Sequence, residues 1–204
     1  MDNNVYLLTC TATGQQLLVD AADEAPRILE LAREGASAGP TGADGSQPLL
    51  HTVVTTHQHW DHYRALAQVV ADTGATTAAG APDADALPVA ADLRLRHGDQ
   101  VRFGDVVLDV LLLRGHTPGS VALAYRDPGD ADGQAHLWTG DSLFPGGVGN
   151  TGQDSALFGQ LMDDVEARVF DVYGDDTWVY PGHGRDTTLG AERPHVAEWR
   201  RRGW

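Results

Sequence analysis

Seven histidine and aspartate side chains have the types and the spacing that metal chemistry requires. Four of them fall within residues 56–62, and three follow far downstream, each beside a glycine. The seven are His57, His59, Asp61, His62, His116, Asp141 and His183. Imidazole and carboxylate groups are ligands that zinc, iron and manganese favour. Seven such groups can hold two ions if one carboxylate bridges them, and a pair of ions can generate a hydroxide nucleophile at neutral pH. The residues therefore predict a metal-dependent hydrolase.

The spacing also predicts how the ligands divide between two ions. His57 and His59 alternate, so in an extended backbone both side chains point to the same ion. Asp61 and His62 follow as the chain turns into a helix, and they point toward a second ion. Asp141 is the natural bridge, because a carboxylate has two oxygens with lone pairs for two metals. On this interpretation the first set is completed by His116 and the second by His183.

Other interpretations of these residue types fit the pattern less well. A single loop histidine is usually solvated, and this is our prediction for four others: His51, His97, His136 and His195. A closed structural zinc site would lean on cysteine and needs only four ligands. Three histidines and an aspartate within residues 56–62 are too clustered for a solvated surface. We therefore predict a catalytic site.

The composition limits the function further. The chain has 204 residues with a 42% hydrophobic and 21% charged share, which predicts one soluble domain over residues 1–204. Its net charge of −15 argues against a nucleic-acid partner, since phosphate binding needs a basic surface. The single cysteine, Cys10, is predicted to be a buried, inert thiol. Without an apolar run of ~20 residues or a signal peptide, we expect a cytoplasmic protein that does not enter a membrane.

Both strands and helices are predicted to position these residues. Alternating or apolar runs predict strands at residues 5–10, 16–20, 49–55, 75–79, 135–139 and 177–180, and several more between residues 93 and 125. Helices are predicted at residues 25–34 (ended by Gly35), 62–73 and 155–173, with a short one from Pro194. Residues 35–47 are predicted to be a mobile surface loop. Every candidate ligand falls where a strand ends, so we expect mixed sheets covered by helices, with the loops converging at one edge.

Residues 56–62 resemble the signature of the metallo-β-lactamase superfamily. Residues 115–120, 139–144 and 181–184 resemble its glyoxalase II-like branch, in the same order. The resemblance implies an α/β (α+β) fold, a four-layer αββα sandwich with a dinuclear site at one edge. It implies that the first ion is bound by His57, His59 and His116, the second by Asp61, His62 and His183, and that Asp141 bridges. The implied metal is usually zinc, sometimes iron or manganese.

The sequence departs from that branch in two places. Glyoxalase II enzymes carry an additional C-terminal helical region that helps bind glutathione, whereas the sequence continues only a short way past His183. They also have a lysine and a tyrosine after the bridging aspartate, and residues 146–152 contain neither. Both departures argue against a glutathione thioester as the physiological substrate.

The predicted reaction is hydrolysis of a small thioester or related ester by a hydroxide held between two ions roughly 3.5–4 Å apart. Asp61 and Asp141 are the predicted catalytic residues, and Asp61 would help orient the nucleophile. A thiolate leaving group, with a thiol pKa of about 8.5, needs little protonation. Because they follow Asp141, three residues are predicted to line the substrate pocket: Phe144, Asn150 and Thr151.

The main alternative is an oxidoreductase that resembles a persulfide dioxygenase with one iron ion. Those relatives share most of the motifs, so metal content must separate the two functions. A β-lactamase is less consistent with the chain, because lactamases of this superfamily generally lack the bridging aspartate and work outside the cytoplasm. A binding module would need a broken ligand set, and none is broken here. The acyl group, the thiol carrier and the oligomeric state do not follow from the sequence.

Overall fold

The computed structural model describes residues 2–37, 50–129 and 133–203, so most of the predicted loop at residues 35–47 lies outside the described residues. The first half of the chain forms a five-stranded sheet whose strands follow chain order. Its strands are β1 (Tyr6–Thr9), β2 (Gln16–Val19), β3 (Leu50–Thr55), β4 (Thr76–Gly80) and β5 (Leu93–Leu95). β1 pairs with β2 in antiparallel fashion, and β2 to β5 run parallel to one another.

The second half forms a six-stranded sheet and a small hairpin. The sheet strands are β6 (Gln100–Phe103), β7 (Val106–Leu112), β8 (Val121–Arg126), β9 (Ala135–Gly140), β12 (Trp178–Pro181) and β13 (Thr187–Thr188), and the hairpin pairs β10 (Leu143–Phe144) with β11 (Gly147–Val148). The strand order in the sheet is β13-β12-β9-β8-β7-β6. β9 and β12 are parallel, and the other neighbours are antiparallel.

Helices cover the outer face of each sheet. The first sheet carries α1 (Ala25–Ser37) and α2 (Leu66–Thr73), and the second carries α3 (Ser155–Val165), α4 (Leu189–Glu192) and α5 (Val196–Arg202). Helix α2 ends at Gly74, which adopts φ = 69°, a left-handed conformation that glycine takes without strain. None of the helices in the described ranges combines the length and the apolar character needed to span a bilayer.

The four layers follow from the alternation of side chains along the strands. Leu17 on β2 faces the core between the sheets, where it joins Val110 and Leu123 of the second sheet. Its neighbour Leu18 faces the opposite side and packs in the cluster that contains Ile28 of α1. The second sheet alternates in the same way toward α3 and α5. The predicted αββα sandwich is therefore confirmed.

Strand direction explains why the loops of interest meet. In the first sheet β2, β3 and β4 are parallel, so their carboxyl ends lie at one edge. In the second sheet β7 is antiparallel to β8, and β8 is antiparallel to β9. β7 therefore runs in the direction of β9 and of its parallel neighbour β12. The segments that follow β7, β9 and β12 consequently leave the second sheet at a common edge.

The prediction that Gly35 ends the first helix is wrong, because α1 continues to Ser37. The helix lies close to the first two strands at this position. A Cβ atom on Gly35 would lie 2.8 Å from Gln16 Nε2 and 3.2 Å from Leu7 Cδ2. The glycine therefore permits close packing of the helix on the sheet instead of stopping it.

Two further helix predictions need correction. The helix predicted at residues 62–73 begins only at Leu66, because residues 60–62 form a separate 3-10 turn. The helix predicted at residues 155–173 is α-helical as far as Val165 and continues as a π-helical turn over Glu166–Phe170. Leu157 is 41% exposed, whereas Phe158, Leu161 and Met162 form the buried face of the helix.

His136 is not a solvated loop residue. It lies in β9, is half-buried, and stacks on the ring of Tyr180 at a centroid distance of 5.8 Å. Its Nδ1 atom is 2.9 Å from the hydroxyl oxygen of Tyr180 on the neighbouring strand. Side-by-side strands place these rings in contact, which a single-sequence pattern does not reveal. The other three histidines predicted to be solvated are exposed: His51, His97 and His195.

Candidate metal centre

Three histidines form the first group at the shared edge. His57 and His59 come directly after β3, and the Nε2 atom of His57 lies 3.1 Å from Nδ1 of His59. His116 arrives from the loop after β7, with its ring centroid 4.8 Å from that of His57 and 4.5 Å from that of His59. Each of the three can offer one nitrogen, and the three nitrogens lie within 4.8 Å of one another.

A second group lies beside the first. Nε2 of His62 and Nε2 of His183 are 3.2 Å apart. Oδ2 of Asp61 lies 3.3 Å from Nε2 of His183 and 3.9 Å from Nε2 of His62. Asp61 and His62 belong to the 3-10 turn after β3, whereas His183 follows β12 in the other sheet.

The carboxylate of Asp141 lies between the two groups. Its Oδ1 atom is 3.4 Å from Nε2 of His62. Its Oδ2 atom is 3.7 Å from Nε2 of His116 and 3.6 Å from Nε2 of His183. One side chain thus contacts imidazoles of both groups.

These separations fit bound divalent ions. Atoms that share one tetrahedral ion at about 2.1 Å lie about 3.4 Å from each other, close to the distances between the side chains here. Two atoms of the cluster, Nε2 of His116 and Oδ1 of Asp141, are buried and have no hydrogen-bond partner among the described residues. Buried polar atoms rarely remain unpaired, so both atoms fit a cation.

Asp20 holds two of the imidazoles in the orientation that a metal needs. Its Oδ2 atom accepts hydrogen bonds of 2.8 Å from Nδ1 of His62 and from the hydroxyl of Thr56. Because that hydroxyl donates to Asp20, it is free to accept from Nδ1 of His57, 3.0 Å away. Both histidines therefore direct Nε2 into the cluster. In metalloproteins, carboxylates that accept from the far nitrogen of a metal-bound histidine orient its ring in the same way.

The loop that carries His116 is fixed in a similar way. Nδ1 of His116 donates to the carbonyl oxygen of Asn150 at 2.7 Å, which leaves Nε2 facing the cluster. Just before it, the buried carboxylate of Asp164 on α3 accepts from the backbone N–H of Arg114 at 2.9 Å and from two of its guanidinium nitrogens, each at 2.8 Å. Gly115 has φ = 136° and lies so close to α3 that a Cβ would stand 2.6 Å from Cβ of Leu161.

Asp83 joins the loops of the two sheets. It is fully buried and follows β4 at the same edge. Its carboxylate accepts from the backbone N–H of Gln58 at 3.0 Å, from the hydroxyl of Thr117 at 2.5 Å and from the N–H of Gly119 at 2.6 Å. A single carboxylate therefore connects the loop of His57 and His59 to the loop of His116.

The pKa values of the histidines in the cluster shift in different directions. Burial, and after it the neighbouring imidazole of His62, holds the pKa of His57 well below its ordinary value. Burial likewise lowers the pKa of His116, although the carbonyl of Asn150 opposes it. For His62 burial alone would lower the pKa, but the carboxylates of Asp20 and Asp141 outweigh it and raise the pKa to about 10. Two imidazoles are therefore neutral near pH 7, and the third has anionic neighbours suited to a cation.

Glycines allow the downstream ligands to approach. Gly140 adopts φ = 49°, and a Cβ there would lie 2.6 Å from the hydroxyl oxygen of Thr56. A Cβ on Gly182 would collide with Oδ1 of Asp141 and stand 2.6 Å from Cε1 of His62. Both glycines therefore allow close contacts that a side chain at either position would block.

The three residues predicted to line a substrate pocket behave differently. A cavity of about 510 Å³ is lined by Val148, Asn150, Gly152 and Gln153. Asn150 is exposed there and contacts His116 through its carbonyl oxygen. Thr151 is buried and donates its hydroxyl to the carbonyl oxygen of Asp154, 3.4 Å away, while Phe144 is half-buried in β10. Neither lines this cavity.

Sequence reasoning missed three residues of the site: Asn3, Asp20 and Asp83. Asp20 and Asp83 follow β2 and β4, the two parallel neighbours of β3, so strand order combined with aspartates after strand ends could have found them. Asn3 precedes β1, and no sequence signal points to it.

The family follows from comparison with known proteins. Residues 1–191 match the model of the metallo-beta-lactamase superfamily. The chain belongs to that superfamily.

Its relatives place it in the glyoxalase II-like branch. A hydroxyacylglutathione hydrolase of Fuscovulum blasticum is 36% identical over 148 residues, which cover 72% of this chain and 51% of the relative. The chain thus spans about half the length of the curated relatives it matches.

Two solved structures are similar along nearly the whole chain. ETHE1 from Myxococcus xanthus has a TM-score of 0.77 and 30% identity, and the match covers 96% of this chain and 78% of that one. TTHA1623, solved in a di-iron-bound form, has a TM-score of 0.66 and 29% identity, with 94% and 92% covered.

Proposed function

We propose that this protein is a metal-dependent hydrolase that cleaves a small thioester or related ester. The reaction adds water across the acyl bond: a C–O bond forms, the C–S bond breaks, and the products are a carboxylic acid and a thiol. Two divalent ions would be held by the seven converging side chains. The first ion is assigned to His57, His59 and His116, the second to Asp61, His62 and His183, and the bridge to Asp141.

The position of Asp141 carries this proposal. Its two oxygens contact imidazoles from both groups at 3.4–3.7 Å, and Oδ1 is buried without a hydrogen-bond partner in the described part of the chain. A carboxylate in this setting costs free energy unless cations balance it. A pair of ions on either side would satisfy both oxygens.

When bound, a pair of divalent ions supplies a hydroxide nucleophile at neutral pH and a Lewis acid for the carbonyl oxygen of the substrate. The surrounding groups orient the candidate ligands for that chemistry. Asp20 and the carbonyl of Asn150 keep the Nδ1 protons of His62 and His116 in place, so that Nε2 remains a ligand atom. Asp61 is assigned to orient the nucleophile at the second ion. A thiolate, with a thiol pKa of about 8.5, leaves without a general acid.

Relatives named hydroxyacylglutathione hydrolase support a thioester substrate. Residues 146–152, which lack a lysine and a tyrosine, argue for a thiol carrier other than glutathione. Asn150 is the residue that we assign to the substrate cleft, since it is exposed beside His116. Zinc is the proposed metal, and the di-iron form of TTHA1623 makes iron the first alternative, ahead of manganese.

A mononuclear-iron oxidoreductase that resembles persulfide dioxygenases is the second candidate. The similarity to ETHE1 favours it. So does the group of His57, His62 and Asp141, whose ligand atoms lie within 4.8 Å of one another. Two histidines and one carboxylate are the ligand set of non-haem Fe(II) oxygenases.

Elemental analysis combined with a substrate panel separates the two functions. Purified protein is analysed for zinc, iron and manganese, then assayed with acyl thioesters of different thiols, with lactones, and with glutathione persulfide under an oxygen electrode. We expect about two ions per chain and release of thiol from a thioester. One iron ion per chain with oxygen consumption on the persulfide would establish the second candidate instead. Protein that binds no divalent ion would contradict both.

A further inference from the structure

The side chain of Asn3 contacts two ligands of the second group at once. Its Nδ2 atom donates to Oδ2 of Asp61 at 3.1 Å and lies 3.3 Å from Nε2 of His183. Those two ligand atoms are themselves 3.3 Å apart. The amide therefore holds the Asp61 carboxylate, which keeps lone pairs free for an ion, beside Nε2 of His183, whose single lone pair would go to the same ion.

The backbone around Asn3 is tied to the loop that carries His183. Asn3 forms an isolated antiparallel bridge with His183, and the N–H of Asn4 donates to the carbonyl of Gly182 at 2.8 Å. The side-chain amide of Asn4 donates to the carbonyls of Pro181 at 2.9 Å and Gly184 at 3.0 Å. Main-chain atoms and Asn4 make these bonds. A different side chain at position 3 would therefore still lie against the candidate ligands.

We propose that Asn3 is a positioning residue of the second half-site, holding the Asp61 carboxylate beside Nε2 of His183 ready to bind an ion. This inference rests on the proposed dinuclear function. Asp61 and His183 come from different sheets, so their separation is not set by one local backbone segment. A neutral donor between them stabilises the carboxylate before an ion arrives and limits its rotation away from the imidazole.

The contacts of the Asn3 side chain predict different effects on the two ions. They lie in the second group, at Asp61 and His183, whereas the first group contains His57, His59 and His116. Loss of the amide should therefore weaken the second ion and spare the first. Changes to outer hydrogen-bond partners of metal ligands typically reduce metal affinity by about 10-fold to 100-fold.

The test is a stepwise metal titration of metal-free protein against a chromophoric chelator, which resolves two binding steps. Asn3→Ala removes the amide, and Asn3→Leu keeps its approximate shape without the donor. Gln68→Ala is the matched control, because it removes an exposed amide that donates to Asp72 across one turn of α2, away from the candidate ligands. Thermal unfolding of each metal-free variant is measured in parallel.

We expect both Asn3 variants to bind the second zinc ion about 10-fold to 100-fold more weakly and the first within about twofold of wild type. Gln68→Ala should match wild type in both steps. Unchanged second-ion affinity in either Asn3 variant overturns the inference. So does an equal loss at both steps with a lowered melting temperature, because that pattern indicates a structural role alone. If wild type itself binds no second ion, the proposed dinuclear function fails. If wild type binds two ions and the Asn3 variants bind both with the same affinities, the inference about Asn3 alone fails.

Discussion

At the scale of single residues, some side chains of this site face the cluster as candidate ligands. Others lie behind the candidate ligands and orient them. Asp141 faces the cluster with both oxygens, whereas Asp20 accepts from the far nitrogen of His62. Asp20 adopts φ = 59°, a left-handed conformation that aspartate tolerates better than most residues. That conformation turns its carboxylate back toward Thr56 and His62.

Replacing Asp141 should affect both ions. In Asp141→Ala we expect lower metal content and at least about a 100-fold drop in kcat, because one carboxylate serves two groups of ligands. Elemental analysis and steady-state kinetics on the substrate identified by the panel give the two readouts.

His195→Ala is the control for Asp141→Ala, because the His195 side chain is 56% exposed and its ion-pair neighbour is Glu198 on the same helical surface. Its metal content and rate should stay near wild type. Full metal and full activity in Asp141→Ala would exclude the bridging assignment.

The seven candidate ligands were visible in the sequence because each lies in a short string of unusual composition. Asp20 and Asp83 were not, since an isolated aspartate after a strand is an ordinary turn residue. Their roles depend on Thr56 and Thr117, which lie far away along the chain. Parallel pairing of β2 with β3 brings Thr56 to Asp20, and packing of the two sheets brings Thr117 to Asp83. Residue type therefore predicted the candidate ligands, and topology was needed to predict the side chains that orient them.

At the scale of elements, hydrogen bonds to neighbouring elements hold the loops that carry the candidate ligands. The loop after β7 is the clearest case. Asp164 on α3 is nearly buried and accepts three hydrogen bonds from Arg114, two residues before His116. Although burial would raise the pKa of Asp164, the bonds from Arg114 and the charge of Arg168 lower it.

Asp164→Ala should destabilise the metal-free protein by about 1.5–3 kcal/mol at pH 7, the usual range for hydrogen bonds to a charged group. The sign of its pH dependence follows from the lowered pKa. The carboxylate contributes stability above the unfolded pKa of about 3.9 and loses it as the pH falls through the lower folded value. Urea unfolding at pH 7 and at pH 3 should show the difference between variant and wild type narrowing at the lower pH.

The neighbouring Asp163→Ala is the control for that comparison. Asp163 pairs with Arg200 at the surface, its side chain is 71% exposed, and exposed pairs contribute about 0–1 kcal/mol. A difference between Asp164→Ala and wild type that stays constant, or widens, on acidification would contradict the assigned ion pair.

Element boundaries were predicted less well than element types. Gly35 was interpreted as a helix stop because glycine often ends helices, yet tertiary packing on Gln16 and Leu7 is what requires it. The helix that ends at Thr73 was predicted to begin four residues too early. Residues 60–62, which include the candidate ligands Asp61 and His62, form a separate 3-10 turn. Local patterns do not contain the contacts that decide these points.

At the scale of the whole molecule, the candidate ions would join two halves of the chain. His57, His59, Asp61 and His62 follow a strand of the first sheet, and the other three ligands follow strands of the second. The hydrophobic core between the sheets and the Asp83 carboxylate make the same connection without metal. The single domain over residues 1–204 and the cytoplasmic location stay predictions.

Metal removal should therefore lower global stability. A ligand at 100 times its Kd adds about 2.7 kcal/mol, and for a chain of this size each kcal/mol moves Tm by about 2–4 °C. We expect chelated protein to melt about 5–10 °C below metal-loaded protein, with zinc restoring the difference. Calorimetry on both forms measures it, and Asp141→Ala should show a smaller gap. Equal melting temperatures for loaded and chelated wild type would argue against ions that span the sheets.

The division of the ligands between two sheets has a consequence for how the protein matures. A chain still emerging from synthesis, with only its first sheet assembled, presents four of the seven groups and lacks the shared carboxylate. Such an intermediate has no complete pocket for the proposed ions. If the chain binds them as proposed, metal would be acquired only after both halves have docked, and loading would report that assembly is finished.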